Sequence, residues 1–428
     1  HYFTYDALDR LVETGLKDIS IPAINPNTEV SFTYYDTHVL GNNFFMGEAT
    51  NTRNRVSSVA YEQVDDGDDS TYESATHYSY DIHGNVKKLV QEFTFQNTVK
   101  IAKTIHYTYD LITGNVKEVA YQADKVDQFY HRYYYDANNR LQEVETSTDG
   151  ENFTREAKYF YYHHGALARV ELGKNQLQGI DYAYNIHGWL KGINNPMEND
   201  EEGLNAHFPE NIFSLFLNYY SNDYTSINDQ VFSPVSAYVP KDLYNGNISL
   251  KGIKDPLASV ESNYQYDQLN RLVGMQAITP TNPDSTKSYT NSYAYDPNGN
   301  LSKLTRNYAP SSGTTGLFDD LTYHYDYANE KSNRLLALTD GANAGDGDGL
   351  LNDLTDQNET NYAYDVLGQL TKDESAAIEE ISWTANGKVK EIKRSSGSTQ
   401  PDLEFTYNSS GERIGKTVKL KNAAGYLM

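Results

Sequence analysis

Short runs in which residues alternate in character, each closed by an acidic corner, recur along this chain. In Ser292-Tyr293-Ala294-Tyr295-Asp296-Pro297-Asn298-Gly299-Asn300-Leu301-Ser302-Lys303-Leu304, the period-two alternation predicts a strand with Tyr293 and Tyr295 on one side. Asp296 suits the first position of a type I turn, and Pro297 the second, because its φ is already set. Gly299 falls where a three-residue hairpin loop needs a left-handed residue and a G1 bulge. The same slot, three residues after the corner Asp or Asn, holds Asp9, Gly84, Asn139, Gly188, Asn270, Gly368 and Gly411, all residue types that tolerate positive φ. Two positions later stands a bulky apolar residue: Leu11, Val86, Leu141, Leu190, Leu272, Leu301 or Leu370. Each such unit is predicted to be a β-hairpin whose register is fixed by its corner.

The units repeat. The phrase aromatic-x-Tyr-Asp ends at Asp6, Asp81, Asp110, Asp136, Asp267, Asp296, Asp326 and Asp365, with Asn variants ending at Asn185 and Asn408. Steps of 29 residues (81 to 110), 26 (110 to 136), 29 (267 to 296) and 30 (296 to 326) set a period, the mark of an array of supersecondary units. Leu111-Ile112-Thr113-Gly114 lengthens one corner by a residue, and Asp326 reaches Asn333-Arg334-Leu335 after four extra residues. Both are read as insertions at hairpin tips, which cost little. Tyr159-Phe160-Tyr161-Tyr162 and Ile381-Ser382-Trp383 read as eroded copies of the same strand. An array of this kind works as a surface or a wall, seldom through one pocket.

The phrase, its spacing and the tyrosine load resemble the YD-repeat, or RHS-repeat, family of large bacterial surface and toxin proteins, with related repeats in animal teneurins. The resemblance covers nearly the whole chain. It implies an all-β fold, a continuous spiral of antiparallel β-hairpins forming a hollow shell or part of one. In toxin members the shell encloses a variable C-terminal polypeptide, closed off by a core segment with a self-cleaving aspartyl site. That core segment is not found here. Asp255-Pro256-Leu257 is superficially similar to the cleavage motif, but further repeats follow it, so it is read as a loop. Beginning at His1 within a repeat and ending at Met428 soon after one, the chain is expected to be a piece of a longer protein.

Composition adjusts the picture. The hydrophobic share is 38%, Tyr included, below the roughly 45–50% apolar share of ordinary domains, so little dry core is expected. The 38 tyrosines carry large apolar area plus a hydroxyl that prefers water or a partner, which suits a wall wet on both faces and held by cross-strand aromatic pairs. A formal charge of −24 would repel phosphates, so nucleic acid is excluded as a partner. With no cysteine, disulfides and thiolate metal sites are excluded. No apolar run approaches the ~20 residues of a membrane span; the best, Ile212-Phe213-Ser214-Leu215-Phe216-Leu217, is far shorter.

Residues 1–428 are read as one array, with a first repeat block at 1–190, a long-loop insertion within the wall at 191–260 and a second block at 261–428. Within the insertion, Phe216-Leu217-Asn218-Tyr219-Tyr220 and Leu243 to Leu250 are predicted strands, and the wording around Trp189 and Tyr244 resembles an insertion found in a surface-exported RHS subgroup. Residues 64–70 and 340–349 are acidic, glycine-punctuated loops. Residues 373–380 have some helical propensity but are too short for a stable helix.

Four chemistries compete with plain structural roles. Asp346 and Asp348, in Asp-Gly-Asp-Gly, are the metal candidates, for calcium; Ala344 in the usual first ligand position and Thr355 where a bidentate Glu would close the loop favour a solvated acidic loop. No cofactor is otherwise expected. His83 and His187 sit at the same corner position, which points to turn chemistry, and no HExxH spacing exists. The corner aspartates are not a catalytic pair, since every unit has one. Outward tyrosines could stack on pyranose faces, and Arg10, Arg140 and Arg271 are expected to pair with acidic neighbours or stack on tyrosines. The expected function is a non-enzymatic structural shell of a secreted or cell-surface RHS protein, enclosing or displaying a C-terminal effector, toxin or other cargo polypeptide. The alternative is an adhesin or glycan-binding surface using exposed tyrosines and loop tips. Expected partners are the protein's own C-terminal polypeptide, a secretion machinery (by analogy with the exported subgroup, the type IX route of gliding bacteria) and surface glycans.

Overall fold

The computed structural model describes residues 2–17, 27–37, 50–65, 67, 72–95, 99–194, 212–225, 241–255, 259–278, 289–308, 316–326, 333–342, 356–408 and 410–421. Among them there is no helix, and 28 strands follow one another in chain order. The chain divides into two compact units, His1–Thr154 with Ala363–Met428, and Arg155–Tyr362.

The first unit opens with β1 Tyr2–Tyr5, β2 Leu11–Leu16, β3 Thr28–Tyr35, β4 Val56–Val64, β5 Ser74–Tyr80, β6 Val86–Phe95, β7 Val99–Tyr109, β8 Val116–Tyr121, β9 Phe129–Tyr135 and β10 Leu141–Ser147. The second contains β11 Thr154–Tyr161, β12 Leu167–Leu172, β13 Gln178–Tyr184, β14 Leu190–Ile193, β15 Ser214–Asn218, β16 Leu250–Lys254, β17 Ser259–Tyr266, β18 Leu272–Ile278, β19 Tyr289–Tyr295, β20 Leu301–Tyr308, β21 Gly316–Tyr325 and β22 Leu335–Asp340. The first unit is completed by β23 Tyr362–Tyr364, β24 Leu370–Asp373, β25 Ile378–Trp383, β26 Val389–Arg394, β27 Asp402–Tyr407 and β28 Arg413–Lys419. Strands β1 to β22 belong to a sheet of 22 strands and β23 to β28 to a sheet of six. The pairing is antiparallel between chain neighbours from β1 to β10. It is likewise from β11 to β22 and from β24 to β28. The all-β fold of successive antiparallel hairpins is therefore as the sequence predicts.

The corners explain the hairpins. Asp9, Asn139 and Asn270 have φ of 57°, 60° and 62°, and Gly84, Gly188, Gly299, Gly368 and Gly411 are also positive, so every slot singled out in the sequence is left-handed. Just before each corner the ladder skips a residue, as between Ser79 and Tyr80 or Ala294 and Tyr295, which is the bulge the loop geometry requires. Asp81 shows why the corner is acidic. Its Oδ1 accepts the backbone N–H groups of His83 (2.8 Å) and Asn85 (2.9 Å), and its Oδ2 accepts Asn85 Nδ2 at 3.0 Å. Asp6, Asp136 and Asp267 repeat the arrangement with Arg10, Arg140 and Arg271, each Nε donating to Oδ2 at 2.7–2.8 Å.

Two segments differ from the sequence reading. The hairpin β3–β4 carries no aromatic-x-Tyr-Asp phrase because Thr33 stands in the aromatic position, yet Asp36 and Asn54 take the corner roles and Arg55-Val56 follow. Residues 243–249 precede β16 as a corner around Gly246 (φ 88°), and Tyr219 and Tyr220 lie beyond β15, so both strands are displaced from the predicted segments. Residues 374–377 are a turn between β24 and β25, with Ala377 at φ 53°.

Seven of the buried apolar positions among the described residues are alanine: Ala60, Ala75, Ala120, Ala157, Ala183, Ala277 and Ala337. Ser57, Ser58, Ser74, Thr76 and Ser79 are buried beside them. Each unit holds a buried cluster with larger side chains, Ala60–Tyr72–Ala75 with Phe32 and Tyr34, and Ala183–Phe216–Leu250 with Tyr224. The dry core is thin, as the composition implies.

Candidate functional site

In an array the recurring element with a chemical role is the joint between hairpins. At many corners the preceding tyrosine reaches back to the hairpin before it, although Tyr5, at the first corner, is 57% exposed. Tyr80 donates its hydroxyl to the Val56 carbonyl at 2.7 Å, Tyr109 to Val86 at 2.8 Å and Tyr135 to Val116 at 2.9 Å. In the second unit Tyr219 donates to Leu190, Tyr266 to Ile248, Tyr295 to Leu272 and Tyr325 to Leu301, at 2.8–3.0 Å. Tyr407 donates to Val389 at 2.7 Å, and in one eroded copy the Trp383 indole N–H donates to Leu370 at 2.8 Å. The acceptor is always the residue two positions after the left-handed slot, whose carbonyl is freed where the bulge interrupts the ladder.

Three arginines that follow that slot stack on a tyrosine of the next hairpin: Arg10 lies 4.3 Å from the Tyr35 centroid, Arg55 5.4 Å from Tyr80 and Arg271 4.7 Å from Tyr295. Arg10, Arg140 and Arg271 thus pair with their corner Asp, and Arg10 and Arg271 also stack, as expected. The alternation holds too. Tyr107 and Tyr109 stack at 6.4 Å on one face while the intervening Thr108 is exposed.

Two buried polar groups escape any sequence motif because their members lie on different strands. Ser58, His77 and Glu92 stand side by side on β4, β5 and β6. Ser58 Oγ is 2.8 Å from His77 Nδ1, His77 Nε2 is 3.5 Å from Glu92 Oε2, and the Tyr72 hydroxyl donates to that same oxygen at 2.5 Å. Burial opposes ionisation of Glu92, but the His77 and Tyr72 hydrogen bonds outweigh it and hold its carboxyl below the usual range. The order serine–histidine–carboxylate is that of a nucleophile relay. Ser58 and His77 are both fully buried (0% exposed), so no substrate reaches the hydroxyl, and the group acts as a polar tie across three strands. In the second unit Lys191 pairs with Asp223 at 2.8 Å and contacts Asn218 Oδ1.

Within the first unit the six-stranded sheet meets the opening hairpins at Glu29. This residue sits in a bulge of β3 with φ 53° and is 5% exposed. Its carboxylate accepts the backbone N–H of Ala385 at 2.5 Å and Lys390 Nζ at 2.7 Å. Nothing in the sequence around Glu29 marks it.

The predicted candidates fall out as follows. Asp346 and Asp348 lie outside the described residues; among the described residues no group of three or more His, Asp or Glu is placed to hold a metal ion. His83 and His187 donate backbone N–H groups to Asp81 and Asn185, at 2.8 and 3.0 Å, which is turn chemistry. The corner carboxylates are occupied by their own loops. An open depression lined by Asp6, Arg10, Glu13, Phe32, Tyr34 and Tyr35 has its main charges already paired, Arg10 with Asp6 and Asp36. No helix among the described residues is long and apolar enough to cross a membrane.

No family model matches this chain, and no curated protein matches it. A solved structure described as TcdB2-TccC3 without hypervariable C-terminal region is similar over 98% of this chain, with a TM-score of 0.52 and 15% identity. The present chain spans 20% of that one. The likeness is therefore one of fold. A porin-like protein from Bacteroides uniformis overlaps 57% of this chain and 87% of its own at 11% identity, but its TM-score of 0.18 carries no argument.

Two outcomes follow. Tyr295→Phe keeps the ring under Arg271 and leaves the Leu272 carbonyl without its donor, so stability should fall by about 1 kcal/mol, read from urea or thermal unfolding; no loss would contradict the joint. For pH, the Arg10, Arg140 and Arg271 backbone N–H groups hold Asp6, Asp136 and Asp267 below the ordinary carboxylate range. Burial raises Tyr107, Tyr109, Tyr135, Tyr266 and Tyr295. A lowered carboxyl stabilises the fold above its unfolded pKa, and a raised phenol stabilises it below its own, so these contributions are complete between about pH 4 and pH 10 and are lost outside that window. Melting curves across pH should show the acid limb shallower in a combined Asp6→Asn, Asp136→Asn and Asp267→Asn variant.

Proposed function

We propose that this chain is a section of a non-enzymatic protein wall that encloses, or holds at a surface, other polypeptide of a secreted or cell-surface protein. The observation that carries this reading is the recurring joint, in which a tyrosine hydroxyl of one hairpin meets a bulge carbonyl of the hairpin before it. Such joints extend a sheet indefinitely without a deep core, which is what a thin barrier requires. The fold-level likeness to a structure named for its missing hypervariable C-terminal region supports the same reading, and so does the family resemblance. Small and polar buried side chains suit a sheet wet on both faces. The contact of Glu29 with Ala385 and Lys390 brings the last sheet of the first unit against its opening hairpins, a seam of the kind that seals a barrier.

A second reading, glycan recognition, is favoured by one specific cluster. His187 packs on Trp189 at 4.9 Å, Trp189 on Tyr219 at 5.0 Å and Tyr220 on Tyr244 at 4.7 Å. Tyr244 is 71% exposed, which leaves an aromatic face open to a sugar ring. Corner tyrosines such as Tyr80, Tyr109 and Tyr295 spend their hydroxyls on the joints, so this cluster is the place where binding would concentrate.

For enclosure, a protease-labile reporter segment fused after Met428 should survive trypsin in cis and be destroyed when added in trans. Glu29→Ala should shorten that protection, and equal digestion in cis and trans would overturn the reading. For recognition, binding on a glycan array should fall at least tenfold with Tyr244→Ala; an array on which the intact chain binds nothing removes the second reading.

A further inference from the structure

Lys191 is a buried cation in a place where burial is expensive. It stands on β14, is 3% exposed, and precedes Gly192, which pairs with Ala183 and Phe216 of the buried cluster. Its Nζ donates to Asp223 Oδ1 at 2.8 Å and also contacts the side-chain Oδ1 of Asn218, at the end of neighbouring β15. Asp223 is 7% exposed, and its second oxygen accepts the Tyr219 backbone N–H at 2.9 Å. A lysine amine, a carboxamide and a carboxylate are thus held together, with the amine and the carboxylate buried.

From this juxtaposition we propose that Lys191 and Asn218 form an intramolecular isopeptide bond, with Asp223 as the proton carrier. The amine passes a proton to the Asp223 carboxylate, and the freed lone pair attacks Asn218 Cγ. The Nζ–Cγ bond forms and the Cγ–Nδ2 bond breaks. Asp223 takes the remaining amine proton and delivers protons to the departing nitrogen, so that a lysine ammonium and a carboxamide become one secondary amide and one ammonium ion. No oxidant, metal or second substrate is consumed. Burial pushes the Lys191 amine below its ordinary range, with the Asp223 charge opposing it; desolvation of this kind is how buried lysines become nucleophiles. Fixing amine and carboxamide in contact supplies the proximity that free amides lack.

The location gives the bond a purpose. The β14–β15 ladder registers only two residue pairs, Gly192 with Phe216 and Ile193 with Leu215, whereas β15–β16 and β16–β17 register five each. A covalent staple would reinforce this thinly paired place in the second unit. It acts once per molecule, in maturation, and is independent of whether the wall encloses cargo or binds glycans.

Intact-mass measurement of the purified full chain tests it. The expected mass is lower than the sequence mass by one ammonia, and the tryptic digest should contain a branched peptide joining Lys191 to Asn218, with the Lys191–Gly192 bond uncut. Lys191→Arg, Asn218→Ser and Asp223→Ala should each restore the sequence mass. An ammonia loss that maps to an Asn-Gly succinimide with no branched peptide counts against the proposal. A folded wild-type chain that keeps its full mass after prolonged incubation overturns it without recourse to any variant.

Discussion

The structure depends on a carbonyl that the sheet cannot use. A hairpin corner with a left-handed residue forces a bulge, and the bulge withdraws one backbone acceptor from the ladder. The next hairpin supplies the missing donor, as Tyr295 does for Leu272 and Tyr80 for Val56. This explains why the residue before the corner is tyrosine rather than phenylalanine. A ring alone would cover the bulge, but only the hydroxyl satisfies it, and an unsatisfied buried acceptor costs about 1–3 kcal/mol. Trp383 follows the same logic, since its indole N–H meets Leu370 with different geometry but the same chemistry.

The acidic corner serves the same end from the other side. Asp81 spends both oxygens on its own loop, which fixes the loop conformation and therefore the place where the bulge carbonyl points. Arginines such as Arg271 then bridge the two devices, with Nε on the corner carboxylate and the guanidinium plane on the next tyrosine. Stability is distributed over many small joints in place of one large core, and many of the buried positions are alanine or serine. Among the described residues, larger polar groups such as Ser58–His77–Glu92 are tied internally across strands.

The corners were legible because their requirement is local. Asp267 and Asn270 are three residues apart and obey rules of φ alone, so the left-handed slots that follow an aromatic-x-Tyr-Asp or -Asn phrase could be placed from sequence. Across the joint the rule is lost, since the sequence displays Tyr266 but not the Ile248 carbonyl that it meets 18 residues earlier. The β3–β4 hairpin escaped notice for a related reason: Asp36 and Asn54 are 18 positions apart, and Thr33 replaces the expected aromatic residue. Strand positions around Tyr219 and Tyr244 were misplaced because Gly246 turns a stretch with strand-like composition into a corner. Lys191 and Asp223, 32 residues apart, and Glu29 leave no periodic trace, since each occurs once and depends on which strands become neighbours.

Glu29 also sets an order of events. Nearly every pairing in the described strands joins chain neighbours, so hairpins can zip progressively as the polypeptide emerges, with little entropy lost per step. The Glu29–Ala385 bond spans 356 residues and cannot form until the final sheet exists. Until then a carboxylate destined for burial remains hydrated at the opening end. The clasp at Glu29 is therefore a late event of folding, made only once residues 385–390 are in place.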